Sequence, residues 1–278
     1  MIVYLKMLHL GLATKSETMP ALFIGHGSPM NAVTNNAYTK SLINLGRRLP
    51  KPKAILVVSA HWLTQGTYAT CMEKPRTIHD FYGFPDELYS IEYPSPGAPN
   101  YAKIATKLSN GQIQCDDEWG LDHASWSVLK HMYPKADIPV FELSLDYSFN
   151  EWQPKPIRYH YRLASQLAEL RTEGVLIMGS GNIVHNLRVI DFENVDAKPY
   201  YWAVEFDEKI KDDLIHENHE ALLDCESKGI STSYAVPTLD HYLPMIYVVA
   251  LQAKNEPLKF IYEGFQNRSI SMRSFQIG

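Results

Sequence analysis

Three cysteines, Cys71, Cys115 and Cys225, are all that this chain of 278 residues carries. They are odd in number, far apart and form no CxxC pair, so the sequence indicates neither a disulfide framework nor a zinc ribbon. A reducing, cytoplasmic setting is the matching expectation. Runs of lysine or arginine are also missing. With a net charge of -5 and a pI near 6.1, this argues against nucleic acid as a partner. No apolar stretch approaches the ~18 residues of a membrane span, so no membrane partner is expected. There is no internal repeat, low-complexity tract or linker, and a hydrophobic content of 45% suits one large globular domain. The N-terminus does not read as a secretory leader: Met1 to Leu12 is mildly apolar, is interrupted by Lys6 and His9, and has no A-x-A site. Residues 1–18 are read as an N-terminal extension, with Met19 as a candidate natural start, and 19–278 as the domain proper.

What the chain does have is a set of histidines that follow apolar runs. Ala21 to Ile24 reads as a buried strand and stops at Gly25-His26-Gly27-Ser28-Pro29. Ile55 to Ala60 runs into His61. Val175 to Met178 runs through Gly179-Ser180-Gly181 to His185, and Tyr234-Ala235-Val236 leads through Pro237 to Asp240-His241. In open α/β sheets, ligands bind outside the carboxyl ends of the strands. Four histidines at such ends predict one shared site, with a metal as its natural occupant.

The intervening segments read as α/β. Leu42, Leu45 and Leu49 recur at helical steps and are followed by Pro50 and Pro52. Helices are expected over 99–108, 124–132, 156–170, 201–218 and 242–254, and further strands over 138–145, 259–265 and 269–277. Residues 64–100, rich in proline and aromatics, read as a long ordered loop region with room for short strands; the part from Thr77 to Pro85 is expected to overhang the site. The fold class that results is α/β: a single three-layer α/β/α domain with a central, mostly parallel or mixed sheet.

Each histidine also has a plainer reading. His26 and His61 would serve as structural hydrogen bonders, Gly25 and Gly27 as turn formers. Gly179-Ser180-Gly181 lacks the rest of a phosphate-binding loop and reads as a glycine turn that aims His185. Asp240 suits a helix N-cap, with His241 in the first helical turn; Asp122 either caps the next helix or orients His123. His79 is a candidate acid-base or substrate-bonding group. His216-Glu217-Asn218-His219-Glu220 has its second histidine at i+3, where HExxH needs i+4, and reads as a solvated helix end. A serine nucleophile at Ser28 or Ser180 lacks the G-x-S-x-G elbow.

Taken in order, His26-Gly27-Ser28-Pro29, Ser59-Ala60-His61-Trp62, Thr77 to Pro85, Gly120-Leu121-Asp122-His123, Gly179-Ser180-Gly181 with His185-Asn186, and Asp240 to Pro244 resemble the class III extradiol ring-cleavage dioxygenases, in their 4,5-DOPA extradiol branch. The resemblance runs from Met19 to the C-terminus. It implies a catalytic domain over 19–278 that opens a catechol ring, such as that of L-DOPA, with O₂ at a histidine-bound non-haem metal. One divalent metal per chain is implied, Fe(II) for dioxygenase activity or Zn(II) as bound. His26, His61 and His241 match metal-binding positions. His185 matches an acid-base histidine and counts as a candidate fourth ligand, and His123 matches a histidine near the substrate. His79, Tyr82, Trp62 and Tyr242 are the candidate substrate-binding residues, and Arg76 and Arg188 candidates for a substrate carboxylate. A homo-oligomer is compatible with this picture. The same histidines also suit a zinc-dependent hydrolase, and the same fold a non-enzymatic binding module.

Overall fold

The structure, a computed structural model, describes residues 18–148, 153–225 and 230–278. The expected N-terminal extension therefore lies, except for its last residue, outside the described residues. In chain order the elements are β1 (Ala21–Gly25), α1 (Ala37–Arg48), β2 (Ala54–Thr64), β3 (Thr67–Thr70), α2 (Asp86–Tyr89), α3 (Pro99–Leu108), β4 (Ile113–Asp116), α4 (His123–Met132), β5 (Val140–Ser148), β6 (Gln153–Pro154), α5 (Ile157–Ser165) and α6 (Ala168–Thr172). They continue with β7 (Val175–Gly181), α7 (Tyr201–Ile215), α8 (His219–Leu223), α9 (Ile230–Ala235), α10 (Leu243–Val249), β8 (Leu258–Tyr262), β9 (Phe265–Gln266), β10 (Ile270–Ser271) and β11 (Ser274–Ile277).

The main sheet has the order β4-β3-β5-β2-β7-β1-β11-β8. Its centre, β5-β2-β7-β1, is parallel; β11 pairs antiparallel with β1 and β8, and β3 antiparallel with β5. The sheet is therefore mixed around a parallel core, as expected. β1 and the first halves of β2 and β7 are apolar at successive steps because both faces are covered, whereas β5 alternates with Glu142, Ser144 and Asp146. Side chains alternate between faces: Leu22, Ile24, Ile55, Val57, Leu176 and Met178 pack with Leu42 and Leu45 of α1 and Trp126 and Leu129 of α4. Phe23, Leu56, Val58 and Ile177 pack on the other face with Ala105 of α3, Leu163 of α5, Phe206 of α7 and Tyr247 of α10. Each buried Leu, Ile or Phe contributes roughly 1.5–3 kcal/mol on leaving water, so these four strands anchor the loops at their carboxyl ends.

Local signals set the boundaries. Asn36 and Thr39 form a reciprocal capping box at the start of α1. The helix stops because Leu49 precedes Pro50 and adopts extended angles, φ -70 and ψ 144.

Three expectations change. Tyr234 and Ala235 end a helix, α9, and not a strand, so His241 follows a helix and a turn. Residues 64–100 contain, besides the short strand β3, a helix, α2, and β4 follows unforeseen. Cys71 and Cys115 form a disulfide with their Cα atoms 5.4 Å apart. Their separation of 44 residues hides that β3 and β4 are parallel neighbours, in register Ala69 to Cys115 and Thr70 to Asp116. Among the described residues, no helix is long and apolar enough to cross a membrane.

Candidate metal centre

Three histidines from three parts of the chain converge at the carboxyl edge of the sheet. His26 directly follows β1, His61 lies near the carboxyl end of β2, and His241 stands two residues ahead of α10. One imidazole nitrogen of each lies within 4.8 Å of the others.

Glycine makes the convergence sterically feasible. Gly27 has φ +63, the left-handed region that lets the chain turn away after His26. A Cβ on Gly181 would lie 2.2 Å from the His241 carbonyl oxygen, and one on Gly179 2.2 Å from that of Pro244. The 241–244 segment therefore lies directly on β7, where Asn182 N–H donates to the His241 carbonyl at 2.9 Å. Gly179-Ser180-Gly181 is thus strand, all buried, and not the turn expected; its glycines admit a neighbour.

Hydrogen bonds settle which nitrogen of each ring is free. Ser180 Oγ donates to the Ala124 carbonyl at 2.7 Å, which leaves it to accept from His26 Nδ1–H at 3.1 Å. His61 Nδ1 faces Asp80 Oδ2 at 3.0 Å. His241 Nδ1 bonds Asp240 Oδ2. In each case Nδ1 carries the proton and Nε2 holds a bare lone pair. The Nε2 atoms of His26 and His61 lie 3.2 Å apart, and His241 Nε2 is buried with no hydrogen-bond partner. Facing lone pairs and an orphaned acceptor are costly unless an electrophile sits among them. A divalent metal fits this donor set: neutral imidazoles, each held by a polar partner on its far nitrogen.

The electrostatics favour the neutral form at two of the three. Burial pushes the His26 pKa well below its ordinary value, and the neighbouring histidines push it further. Burial likewise lowers His241, against the pull of Asp240. His61 is raised: burial works against its charged form, but Asp80 outweighs it. Asp80 itself is held well below the usual carboxylate range; burial opposes this, and the bonds to His123 and His61 prevail.

Two more histidines border the three. His123 opens α4, whose N-cap is Asp122, accepting from Ala124 N–H at 3.0 Å. Its ring is oriented by Asp80, not Asp122: Nδ1 lies 2.8 Å from Asp80 Oδ2, and its backbone N–H donates to Oδ1 at 2.9 Å. Burial and His61 bring the His123 pKa down to about 4, so it is neutral at pH 7. His185 stacks on His241 with 3.5 Å between centroids and 7° between planes, and burial lowers its pKa strongly. It shares a second group of close ligand atoms with Asp240 and His241.

The expected substrate residues do not gather as a set. Trp62 stacks against Trp119 beside His61. His79 gives Nε2 to the Ile91 carbonyl at 3.0 Å and packs near Trp126, away from the converging nitrogens. Tyr82 is 92% exposed. Tyr242 is fully buried and its hydroxyl donates to the Leu222 carbonyl at 3.0 Å, in the helical layer. From the overhanging loop the structure brings in Asp80, and Phe81, whose ring lies 5.6 Å from that of His123. Sequence reading passed over Asp80 in favour of its neighbour His79; the available signal was a carboxylate in the loop already expected to cover the site. Asp240 was read as an N-cap, but α10 begins only at Leu243.

An imidazole-rich cluster at the carboxyl edge of a mixed α/β sheet, with buried neutral histidines beside it, is the site of a metalloenzyme of the non-haem kind. The family model for the catalytic LigB subunit of aromatic ring-opening dioxygenases matches residues 20–276, and the chain belongs to that family. It is 46% identical over 269 residues to a 4,5-DOPA dioxygenase extradiol of Escherichia coli (strain K12), covering 95% of this chain and 96% of that one. A 4,5-DOPA dioxygenase extradiol of Beta vulgaris is 32% identical over 272 residues, 95% and 98% of the two chains. The crystal structure of an uncharacterized Escherichia coli K12 protein superposes with a TM-score of 0.80 at 41% identity, covering 94% of this chain and all of that one. The protein is accordingly an extradiol ring-opening dioxygenase, acting on a catecholic substrate and O₂ at a non-haem metal.

Proposed function

We propose that residues 19–278 act as one catalytic domain that opens the ring of L-DOPA or a close catechol, with Fe(II) held by Nε2 of His26, His61 and His241. The observation that carries this reading is the convergence of three Nε2 atoms whose Nδ1 partners are already engaged. Bound Fe(II) would lower the catechol pKa and hold both reactants together. Zn(II) suits the same imidazoles and would give a loaded but inactive protein.

The chain's own residues do the rest. Ser180, Asp80 and Asp240 fix the tautomers of the three ligands. His185, kept neutral by burial, accepts the proton of a substrate hydroxyl and later returns it. His123, with Nδ1 committed to Asp80, keeps Nε2 for the substrate or O₂. Phe81 shields that side from water.

A cytoplasmic location and a homo-oligomeric state belong to the same reading. The location rests on composition, and the Cys71–Cys115 bridge is the feature that points the other way; cell fractionation decides it.

The deciding experiment is O₂ uptake by protein loaded anaerobically with Fe(II), on adding L-DOPA, while following the yellow semialdehyde product. Stoichiometric uptake with yellow colour is expected. No uptake across a panel of catechols, with iron verified in the protein, would overturn the assignment.

A further inference from the structure

A cleft of about 640 Å³ opens beside His61, walled by His61, Trp62, Gln65, Tyr68, Asp116 and Trp119. His61 is an open member of the converging set: its side chain is 22% exposed, against 7% for His241. The cluster and the cleft therefore share a wall, on the side that solvent reaches.

The cleft is built from fixed parts. The rings of Trp62 and Trp119 stack with 5.5 Å between centroids and 4° between planes. The Trp119 indole N–H donates to Oε2 of the fully buried Glu142 at 3.0 Å, and its backbone N–H to Asp116 Oδ1 at 2.7 Å. Glu142 Oε1 also accepts the Asp122 backbone N–H at 2.8 Å, which ties the same turn to the start of α4. Asp116 Oδ1 takes a second backbone donor, Glu118 N–H at 2.9 Å, so Oδ2 is the oxygen left for a ligand. The strand end carrying Asp116 is clamped by the disulfide of its neighbour Cys115 and by the bond from Cys71 N–H to the Asp116 carbonyl at 2.8 Å.

One carboxylate, Asp116, and one imidazole, His61, face the cleft. The walls also offer two indoles and a phenol, and neither lysine nor arginine lines them. Indole and phenol faces attract cations, and a carboxylate does so more strongly.

We propose that this cleft seats the ammonium-bearing side chain of a catechol amine whose ring lies at the histidine cluster, with Asp116 as its counter-ion and Trp119, backed by Trp62, and Tyr68 as its apolar, cation-attracting walls. This deepens the dioxygenase reading and rests on it: the enzyme selects among catechols by the amine.

The test compares KM for L-DOPA, dopamine and the amine-free 3,4-dihydroxyphenylpropanoate, in the Fe(II)-loaded wild type and in Asp116→Asn. The asparagine keeps a side-chain oxygen for the Glu118 and Trp119 N–H groups. The wild type is expected to favour both amines, and the ratio of the amine-free KM to the amine KM to fall about tenfold in Asp116→Asn, the scale of a charge-assisted hydrogen bond. Quenching of tryptophan fluorescence by tyramine, which is not a catechol, supplies a readout without turnover; half-quenching in Asp116→Asn should need about tenfold more tyramine. Ring opening with no amine preference, or a ratio unmoved by Asp116→Asn, overturns the cleft assignment and leaves the dioxygenase reading standing. No ring opening at all, with tyramine still quenching in an Asp116-dependent way, overturns the dioxygenase reading and supports the ammonium site.

Discussion

Nε2 of His26 and Nε2 of His61 face one another across 3.2 Å, each with its Nδ1 already bonded elsewhere. Two imidazole lone pairs at that distance are both satisfied by the one metal ion proposed above. His26→Ala and His61→Ala should each therefore abolish stoichiometric metal binding, as should His241→Ala, which removes the orphaned Nε2. Metal analysis after dialysis against Fe(II) under argon checks this. Full occupancy in any one of the three variants would remove that histidine from the ligand set.

Asp80 is bonded to both His61 and His123 through one oxygen, Oδ2. Asp80→Asn supplies a single acceptor oxygen without charge, so one ring loses its fixed tautomer. Metal affinity is expected to fall about 10–100-fold, the usual cost of losing a ligand's supporting partner. Titration calorimetry with a divalent metal gives the number, and Asp80→Glu should recover part of it. An unchanged affinity would make Asp80 a loop fastener and nothing more.

His185 stacks on His241 but comes from a different segment, after β7. Its expected role is proton transfer, so His185→Ala should keep its metal and lose turnover by about 10²–10⁴-fold, the range for a general base. Loss of the metal along with activity would instead make His185 a fourth ligand.

His160 lies far from this chemistry. It is buried against the Tyr247 hydroxyl at 3.1 Å, and burial takes its pKa down to about 3. Below about pH 6.5 the unfolded chain binds a proton here that the folded chain refuses until about pH 3. Stability therefore falls as pH drops through that window, by about 2 kcal/mol at pH 5 from this group alone. Urea unfolding at pH 7 and pH 5 should show a smaller acid loss in His160→Asn than in the wild type. Equal losses in the two proteins would show that His160 does not titrate in this way.

The sequence by itself determined the layered α/β fold and the positions of His26, His61, His185 and His241. Both are written in local order, the positions for three of the four: apolar runs long enough for buried strands, with His26, His61 and His185 at or just beyond their carboxyl ends, whereas His241 follows a helix. What lay outside local order was decided by the tertiary structure. The Cys71–Cys115 bridge exists because β4 pairs with β3, and no spacing rule shows that pairing. Asp80 orients His123 and Asp122 does not, because the long loop folds over the start of α4. Tyr242, adjacent to His241, is turned into the helical layer by the start of α10, whereas Trp119, with no motif to mark it, is brought against Trp62 by Glu142. A strand end fixes where a side chain begins; which atoms it meets depends on partners dozens of residues away, and only packing brings those together.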